Sequence, residues 1–356
     1  MAVGDSSSTS FEAAAAGSPQ SVAQFEDERT SLLHKIQHWL HQTPSAVPMI
    51  VLLLSVVIFG LAAGNFFRAG TLSLILQQIA VVGILGCAQS IVVLTAGIDL
   101  SVGAMAVFTS VIMGTFTFRW GIPAPISILV GLAAGTAMGA ANGFLVARMR
   151  LPPFIVTLGT WQIILAANYL YSANETIRSQ DIEAQAPLLQ LWGWTFRIGV
   201  TTVSLGVVLL VIIVLIMAYV LKHTAWGRHV YAIGDDAEAA KLSGVEVKKT
   251  LIQVYALAGF FCAVAGWVMI GRFGSVSPSA STGVLGNIQS ITAVVIGGIS
   301  LFGGRGSILG MFFGALIVGV FELGLRMLGT DPQWTYLLIG ALIIGAVAID
   351  QWIRKA

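Results

Sequence analysis

Residues 71–94 read TLSLILQQIAVVGILGCAQSIVVL. The stretch holds no Asp, Glu, Lys or Arg. At 1.5 Å per residue it is long enough to cross the ~30 Å hydrocarbon core of a bilayer as a helix. Its Gln77, Gln78, Gln89 and Ser90 side chains then need partners inside a protein or a wet cavity, because hydrocarbon offers none.

Outward from this stretch, further apolar runs fall at about 47–64, 102–118, 123–147, 154–171, 198–221, 251–270, 284–299, 307–327 and 334–351. With 71–94 they predict an all-α, polytopic membrane protein of about ten spanning helices. The run at 123–147 is long enough to need tilt or a kink. Composition agrees: 56% of the 356 residues are hydrophobic and 10% are charged, against roughly 25% charged in an average soluble domain. Forty glycines suit helices that approach closely. The net charge of +2 and the lack of a basic tract give no footing for nucleic acid. Cys87 and Cys262 lie inside apolar runs and read as packed thiols, not as disulfide partners or metal ligands.

Residues 1–46 differ from the rest. Met1 to Gln24, rich in Ser, Ala and Gly, reads as a disordered tail. It lacks the basic-then-apolar order of a cleaved signal peptide. Leu32, Leu33, Ile36, Trp39 and Leu40 fall at helical spacing. They predict a short amphipathic helix, lying on the membrane or against the protein's own cytoplasmic face. The membrane domain is expected over 47–356. With the N-terminus inside, 12 of the 18 Lys and Arg residues fall on inner segments and 6 on outer ones, as the positive-inside rule requires. An even number of spans places both termini in the cytoplasm.

Two connections are long. The outer one, 172–197, either meets a partner protein or folds over the mouth of the bundle. The inner one, 222–250, contains Asp235, Asp236, Ala237, Glu238, Ala239, Ala240, Lys241, Leu242, Ser243 and Gly244. Asp235 followed three residues later by Glu238 resembles a capping box, the alanines favour helix, and Gly244 suits a left-handed C-terminal stop. A cytoplasmic helix of roughly 12 Å is expected, either an ordinary loop helix or one whose small-residue face seats in a groove on another protein.

Gly131, Gly135, Gly139 and Gly143 recur every four residues, as do Gly306, Gly310 and Gly314. Such rows mark close helix packing, within a bundle or between subunits. Candidate residues for a pathway or gate are Gln89, Thr95, Asp99, Ser101, Asn142, Trp161, Gln162, Asn168 and Gln289. Uncharged donors and acceptors suit a neutral polar cargo better than an ion; each residue read singly also suits interhelical hydrogen bonding. Asp99 is placed to cap the helix after it, and Glu322 and Arg326 to pair across one helical turn. Gly97-Ile98-Asp99-Leu100 with Gly103 echoes Gly298-Ile299-Ser300-Leu301 with Gly304, a hint of duplicated halves whose copies both face inward on the present count of spans.

No phosphate loop of the form G-x-x-x-x-G-K-[ST] occurs, so this chain is not expected to hydrolyse ATP. All five histidines lie outside the spans, against an intramembrane hydrolase. No catalytic or metal site is expected.

The run Leu94-Thr95-Ala96-Gly97-Ile98-Asp99-Leu100-Ser101-Val102-Gly103 is similar to the T-G-G-I-D-L-S-V-G of one family. Gly227-Arg228-His229-Val230-Tyr231-Ala232-Ile233-Gly234 leading to Leu242-Ser243-Gly244, and Val295-Ile296-Gly297-Gly298 with Gly303-Gly304-Arg305-Gly306, are its other two motifs. From about residue 47 onward the chain resembles the permeases of bacterial monosaccharide ABC importers, the ribose, xylose, galactose and fructose group, with fructose import the most similar. Ala96 stands where the family usually has Gly. The resemblance implies an ABC-importer permease fold in the bacterial inner membrane and a pathway formed by two copies of the chain. It implies a separate cytoplasmic ATPase that holds ATP and Mg, this chain holding no cofactor, and a periplasmic sugar-binding protein that delivers the cargo. It makes Asp235, Asp236, Glu238, Ala239, Ala240, Ser243 and Gly244 the ATPase-coupling segment. The alternative is an ion-coupled sugar carrier, for which the few intramembrane carboxylates are poor material. On this reading a bulky residue at Ala240 or Gly244 abolishes uptake while leaving membrane insertion intact, measured by uptake and membrane fractionation.

Overall fold

The computed structural model describes residues 45–354. The tail and amphipathic helix expected ahead of residue 45 lie outside the described residues. The helices are α1 Ala46–Ala62, α2 Ala69–Leu94, α3 Val102–Phe118, α4 Ala124–Arg148, α5 Pro153–Ser172, α6 Ser179–Gln185, α7 Leu205–His223, α8 Ala225–Asp235, α9 Ala237–Leu242, α10 Val247–Phe273, α11 Ala280–Ile296, α12 Ile308–Met327 and α13 Pro332–Arg354. Each of the ten expected spans corresponds to one of these helices. Among the described residues, α2, α4, α5, α7, α10 and α12 are long and apolar enough to cross a membrane, while α1, α3, α11 and the Gln333–Gly345 part of α13 are shorter apolar helices.

Local sequence sets several boundaries. Pro153 opens α5 at a position where its missing N–H costs nothing. Gly274, with φ of +69°, ends α10. The run expected from 198 begins as a helix only at Leu205, because β-branched Thr201, Thr202 and Val203 pair instead with Thr195–Ile198 as an antiparallel hairpin turned at Gly199. The outer connection folds over the bundle. Ile182 of α6 and Leu189 of the following 3-10 turn, Pro187–Gly193, are fully buried beside Val111, Ile128, Ile270 and Val276. The Trp267 indole donates to the Leu188 carbonyl at 3.3 Å.

The centre of the bundle is α2 and α10, whose apolar windows are 72% buried, against 28% in α4 and 22% in α5. Outward-facing apolar side chains such as Leu53, Leu61, Ile163, Leu170 and Leu215 belong to the peripheral helices. The glycine row of α4 serves packing within the chain. Gly135 and Gly139 lie against the backbone of Gly259 and Tyr255 on α10, and Gly143 against Ile252. Gly310 and Gly314 of α12 meet the carbonyls of Gly297 and Ala293.

The connections sort into two ends. At one, the Thr157 hydroxyl donates to the Ile98 carbonyl at 3.0 Å and the Gly304 amide to the Leu94 carbonyl at 3.0 Å. At the other, Ile177 bridges Val276, and Arg119 reaches the Tyr171 carbonyl and Glu175. The first end holds connections expected to be inner, and the second connections expected to be outer.

A Cβ at Gly139 has no room against the Tyr255 carbonyl, whereas none of the chain's atoms lies within 4 Å of a Cβ at Gly159 on α5. Gly139→Ala is expected to cost about 1–3 kcal/mol, as overpacking does, and Gly159→Ala to stabilise by about 0.5–1 kcal/mol through helix propensity. Thermal melting of the two purified variants in detergent checks this.

Candidate functional site

The inner end is built around α8 and α9. The Thr224 hydroxyl caps α8 by accepting from the Gly227 amide at 3.1 Å. Val230, Ile233 and Gly234 are buried, and the Tyr231 hydroxyl donates to the Gly306 carbonyl at 2.9 Å. The cap of α9 is Asp236 and not Asp235 with Glu238. Its Oδ1 accepts from the Glu238 and Ala239 amides at 2.9 and 3.0 Å, the reach of a capping carboxylate to positions two and three residues on. Asp235 instead closes α8. As a result α9 has six residues, about 9 Å, shorter than expected. Gly244 takes φ of +87° and ends it as anticipated, with Val245 donating to the Ala240 carbonyl at 3.0 Å.

Ala240 faces the chain's own interior and is buried. Asp235, Asp236, Glu238, Ala239, Ser243 and Gly244 are exposed. Beside them Leu242 stands 89% exposed, an apolar knob on a polar loop. In the sequence Leu242 figures only as part of the Leu242-Ser243-Gly244 motif, with no contact assigned to it. The signal was its spacing: Ala240 and Leu242, two apart, cannot share one helix face.

Gly234, just before this knob, carries the load of the junction. A Cβ there would meet the Leu94 carbonyl and the Gly304 amide, and Gly303 in turn lies against the Gly234 carbonyl and Ala96. The turns after α2 and after α11, the two copies of the internal echo, therefore converge on one backbone position.

Above the first turn lies a buried polar knot. Asp99, 1% exposed, accepts at Oδ1 from the Ser101 amide at 2.8 Å and the Ser101 hydroxyl at 2.5 Å. The Asn142 amide donates to the Ser101 hydroxyl at 3.1 Å. Burial pushes the Asp99 carboxyl up from the usual carboxylate range, and the bonds from Ser101 and Asn142 pull it back. Asp99 does not cap α3, whose N-cap residue is Ser101. An orphan amide of the first turn, that of Gly103, donates to Asn287 Oδ1 at 2.6 Å, and Asn287 Nδ2 donates to the Leu100 carbonyl. A side chain from α11 thus does the capping. Beside Gly97 the buried Tyr255 hydroxyl has no hydrogen-bond partner among the described residues.

The other pathway candidates scatter. Thr95 bonds back to the Val92 carbonyl at 2.8 Å. Gln89 is fully enclosed, and neither of its polar atoms has a partner among the described residues. Asn168 donates to the Pro278 carbonyl at 3.0 Å near the outer end. Trp161 packs on the core, and Gln162 faces outward beside Ile163. Gln289 belongs to a separate cluster, donating to Glu322 Oε2 at 2.9 Å. There Arg272 donates to Gln78 Oε1 at 2.6 Å, the Gln78 amide donates to Glu322, and Arg326 pairs with Glu322 at 3.4 Å. Of this cluster the sequence exposed only the Glu322–Arg326 pair; Gln78, Arg272 and Gln289 come from three other helices, α2, α10 and α11.

Residues 71–347 match the family described as the branched-chain amino acid transport system permease component, and the chain belongs to that family. It is a multi-span membrane transport component and not an enzyme. Over 349 residues, 98% of this chain and 96% of the relative, it is 64% identical to a fructose import permease protein of Rhizobium meliloti. It is 35% identical over 312 residues (88% and 94%) to a ribose import permease protein of Escherichia coli K12. To a galactose/methyl galactoside import permease protein of Haemophilus influenzae it is 33% identical over 298 residues (80% and 88%). No solved structure matches.

Removing the Asp99 carboxylate strands the Ser101 amide and hydroxyl in a dry site. Asp99→Ala is therefore expected to destabilise by about 1–3 kcal/mol. Tyr255→Phe removes an unpartnered hydroxyl and is expected to be neutral or stabilising. Melting temperatures of the two variants check this contrast.

Proposed function

We propose that the chain is the membrane-spanning permease subunit of an ATP-driven importer that carries a monosaccharide, fructose foremost, from periplasm to cytoplasm. The observation that carries this reading is the 64% identity to a fructose import permease along almost the whole of both chains. All ten apolar helices cross the bacterial inner membrane, with both termini in the cytoplasm. Two copies of the chain form one pathway, and a periplasmic sugar-binding protein loads it. ATP and Mg reside on a separate ATPase. The division into a cytoplasmic segment at 1–46 and a membrane domain at 47–356, with a coupling loop at 222–250, is part of the same proposal. Ion coupling finds no support: Asp99 is tied to Ser101 and Glu322 to Gln78, Gln289 and Arg326.

The mechanism starts at the exposed side of α9. Leu242 supplies an apolar anchor for a groove on the ATPase, with Glu238, Lys241 and Asp236 at its rim. The ATPase has two nucleotide-dependent shapes, and it shifts the permease only through its different affinity for the inward- and outward-open forms. Displacement of α9 reaches Gly234, and through it the turns after α2 and α11 together. Those turns lead into α3 and α12, so one push moves two helices. Asp99, Ser101, Asn142 and Asn287 keep the first turn rigid during this motion, and their role is positioning more than contact with cargo.

Because Ala240 is buried, a bulky residue there disturbs the loop itself; Leu242→Glu is the sharper test. The variant is expected to insert normally, to lose co-purification with the ATPase, and to reduce uptake at least tenfold, the effect of losing about 1.4 kcal/mol of binding. Normal uptake would remove α9 from the coupling role. The cargo is named by uptake of labelled fructose, ribose, xylose and galactose in cells deleted for the gene, with and without a plasmid copy. Loss and rescue of one sugar identifies it; no change in any of them excludes the monosaccharide assignment.

A further inference from the structure

The Gln78–Arg272–Glu322–Gln289 cluster lies at the end opposite the coupling loop and takes no part in the mechanism above. It borders a cavity of about 200 Å³ lined by Gln77, Gln78, Arg272, Glu322 and Arg326. A cavity of ~150 Å³ admits a benzene ring, so a sugar ring is within scale. The cluster is graded in exposure: the Arg326 side chain is 69% exposed at the rim and Glu322 21% exposed further in. Gln77 and Gln78 lie eight and nine residues into α2, about 13 Å along its axis. Ionisable groups placed among spanning helices are costly unless they serve a pathway or a partner.

Four helices contribute, and the chemistry they bring together is mixed. Glu322 accepts from the amides of Gln78 and Gln289 at one carboxylate oxygen, while its other oxygen has only the long contact to Arg326. Arg272 commits two N–H groups to Gln78, of the five a guanidinium carries. A simple anion would gain from the arginines but meet the carboxylate. A neutral ring with adjacent hydroxyls, each both donor and acceptor, can give protons to the carboxylate and take them from guanidinium and amide. Such a ring exchanges hydrogen bonds of like kind and strands none.

We propose that this cavity is a transit site for the monosaccharide in the outer half of the permease, with Glu322 accepting from sugar hydroxyls, Arg272 donating to them, and Gln289, outside the lining, holding the Glu322 carboxylate in position. The proposal rests on the importer reading, and its test separates the two. Wild type, Glu322→Gln and Gln289→Leu are reconstituted in proteoliposomes with the ATPase and the sugar-binding protein. Labelled fructose uptake and ATP hydrolysis are measured side by side. Both variants are expected to keep binding-protein-stimulated ATP hydrolysis within about twofold of wild type while uptake falls about tenfold, the effect of one hydrogen bond to a charged group. Gln289→Leu leaves the Glu322–Arg326 pair and the Arg272–Gln78 bonds in place, so it carries the test if Glu322→Gln does not assemble. Wild-type uptake by the variants would overturn the transit site. A parallel fall of ATP hydrolysis and uptake would also overturn it, marking the cluster as a brace between helices. Absence of ATP-dependent uptake in wild type would instead sink the importer reading.

Discussion

A peptide group that leaves a helix inside a packed bundle is cut off from water, so the protein must supply its hydrogen-bond partner. Two places show the consequence. After α2 the chain turns through Thr95–Ser101, and after α11 through Gly297–Ser307, before a new helix begins. The freed groups are satisfied from elsewhere: Ile98 by Thr157, Leu100 and Gly103 by Asn287, Ser101 by Asp99, and Leu94 by Gly304. Thr157, Asn287 and Asp99 meet that requirement directly. The polar residues of the spans are thus largely structural in origin, and function is added where the requirement has been met with something to spare.

That economy explains why the two turns can act as moving parts. Close packing makes the centre of the bundle stiff: where Gly139 and Gly259 let α4 and α10 touch backbone to backbone, there is little slack to absorb a displacement. Gly234 does the same for the coupling loop, which meets the two turns without an intervening side chain. A side chain would bend; backbone against backbone transmits. The internal echo in the sequence gains a physical sense from this, since both copies deliver the same small turn to the same point.

The apolar helices were legible in the sequence because hydropathy over some twenty residues overwhelms local detail. Gly244 was legible through the chemistry of a left-handed stop. The cap of α9 was misplaced by one residue because Asp235 and Asp236 are chemically identical, and only backbone geometry, with Asp236 extended, decides which carboxylate faces the amides. The exposure of Leu242 and the burial of Ala240 depend on how a six-residue helix is rolled, which so short a segment barely encodes. The first turn of α3 looked capped by its neighbour Asp99, whereas Asn287, distant in sequence, does part of that work. The outer cluster was the least legible, since Gln78, Arg272, Gln289 and Glu322 become neighbours only after four helices have packed.

The contrast between the ends follows from how each is held. At the inner end most contacts are backbone against backbone or hydrogen bonds to main-chain groups, with the Asp99–Ser101–Asn142 side-chain bonds set among them. In the cluster around Glu322 most run between side chains, amide to carboxylate and guanidinium to amide. Exchanging one such bond for another costs little, because the gross strength of a hydrogen bond largely cancels when a like partner replaces it. A transporter needs this division. The end that receives work must pass it on without yielding, and the end that meets cargo must let go of its own bonds to take up those of the cargo. The chain meets both demands with the same polar residues, set apart by whether their partner is main chain or side chain.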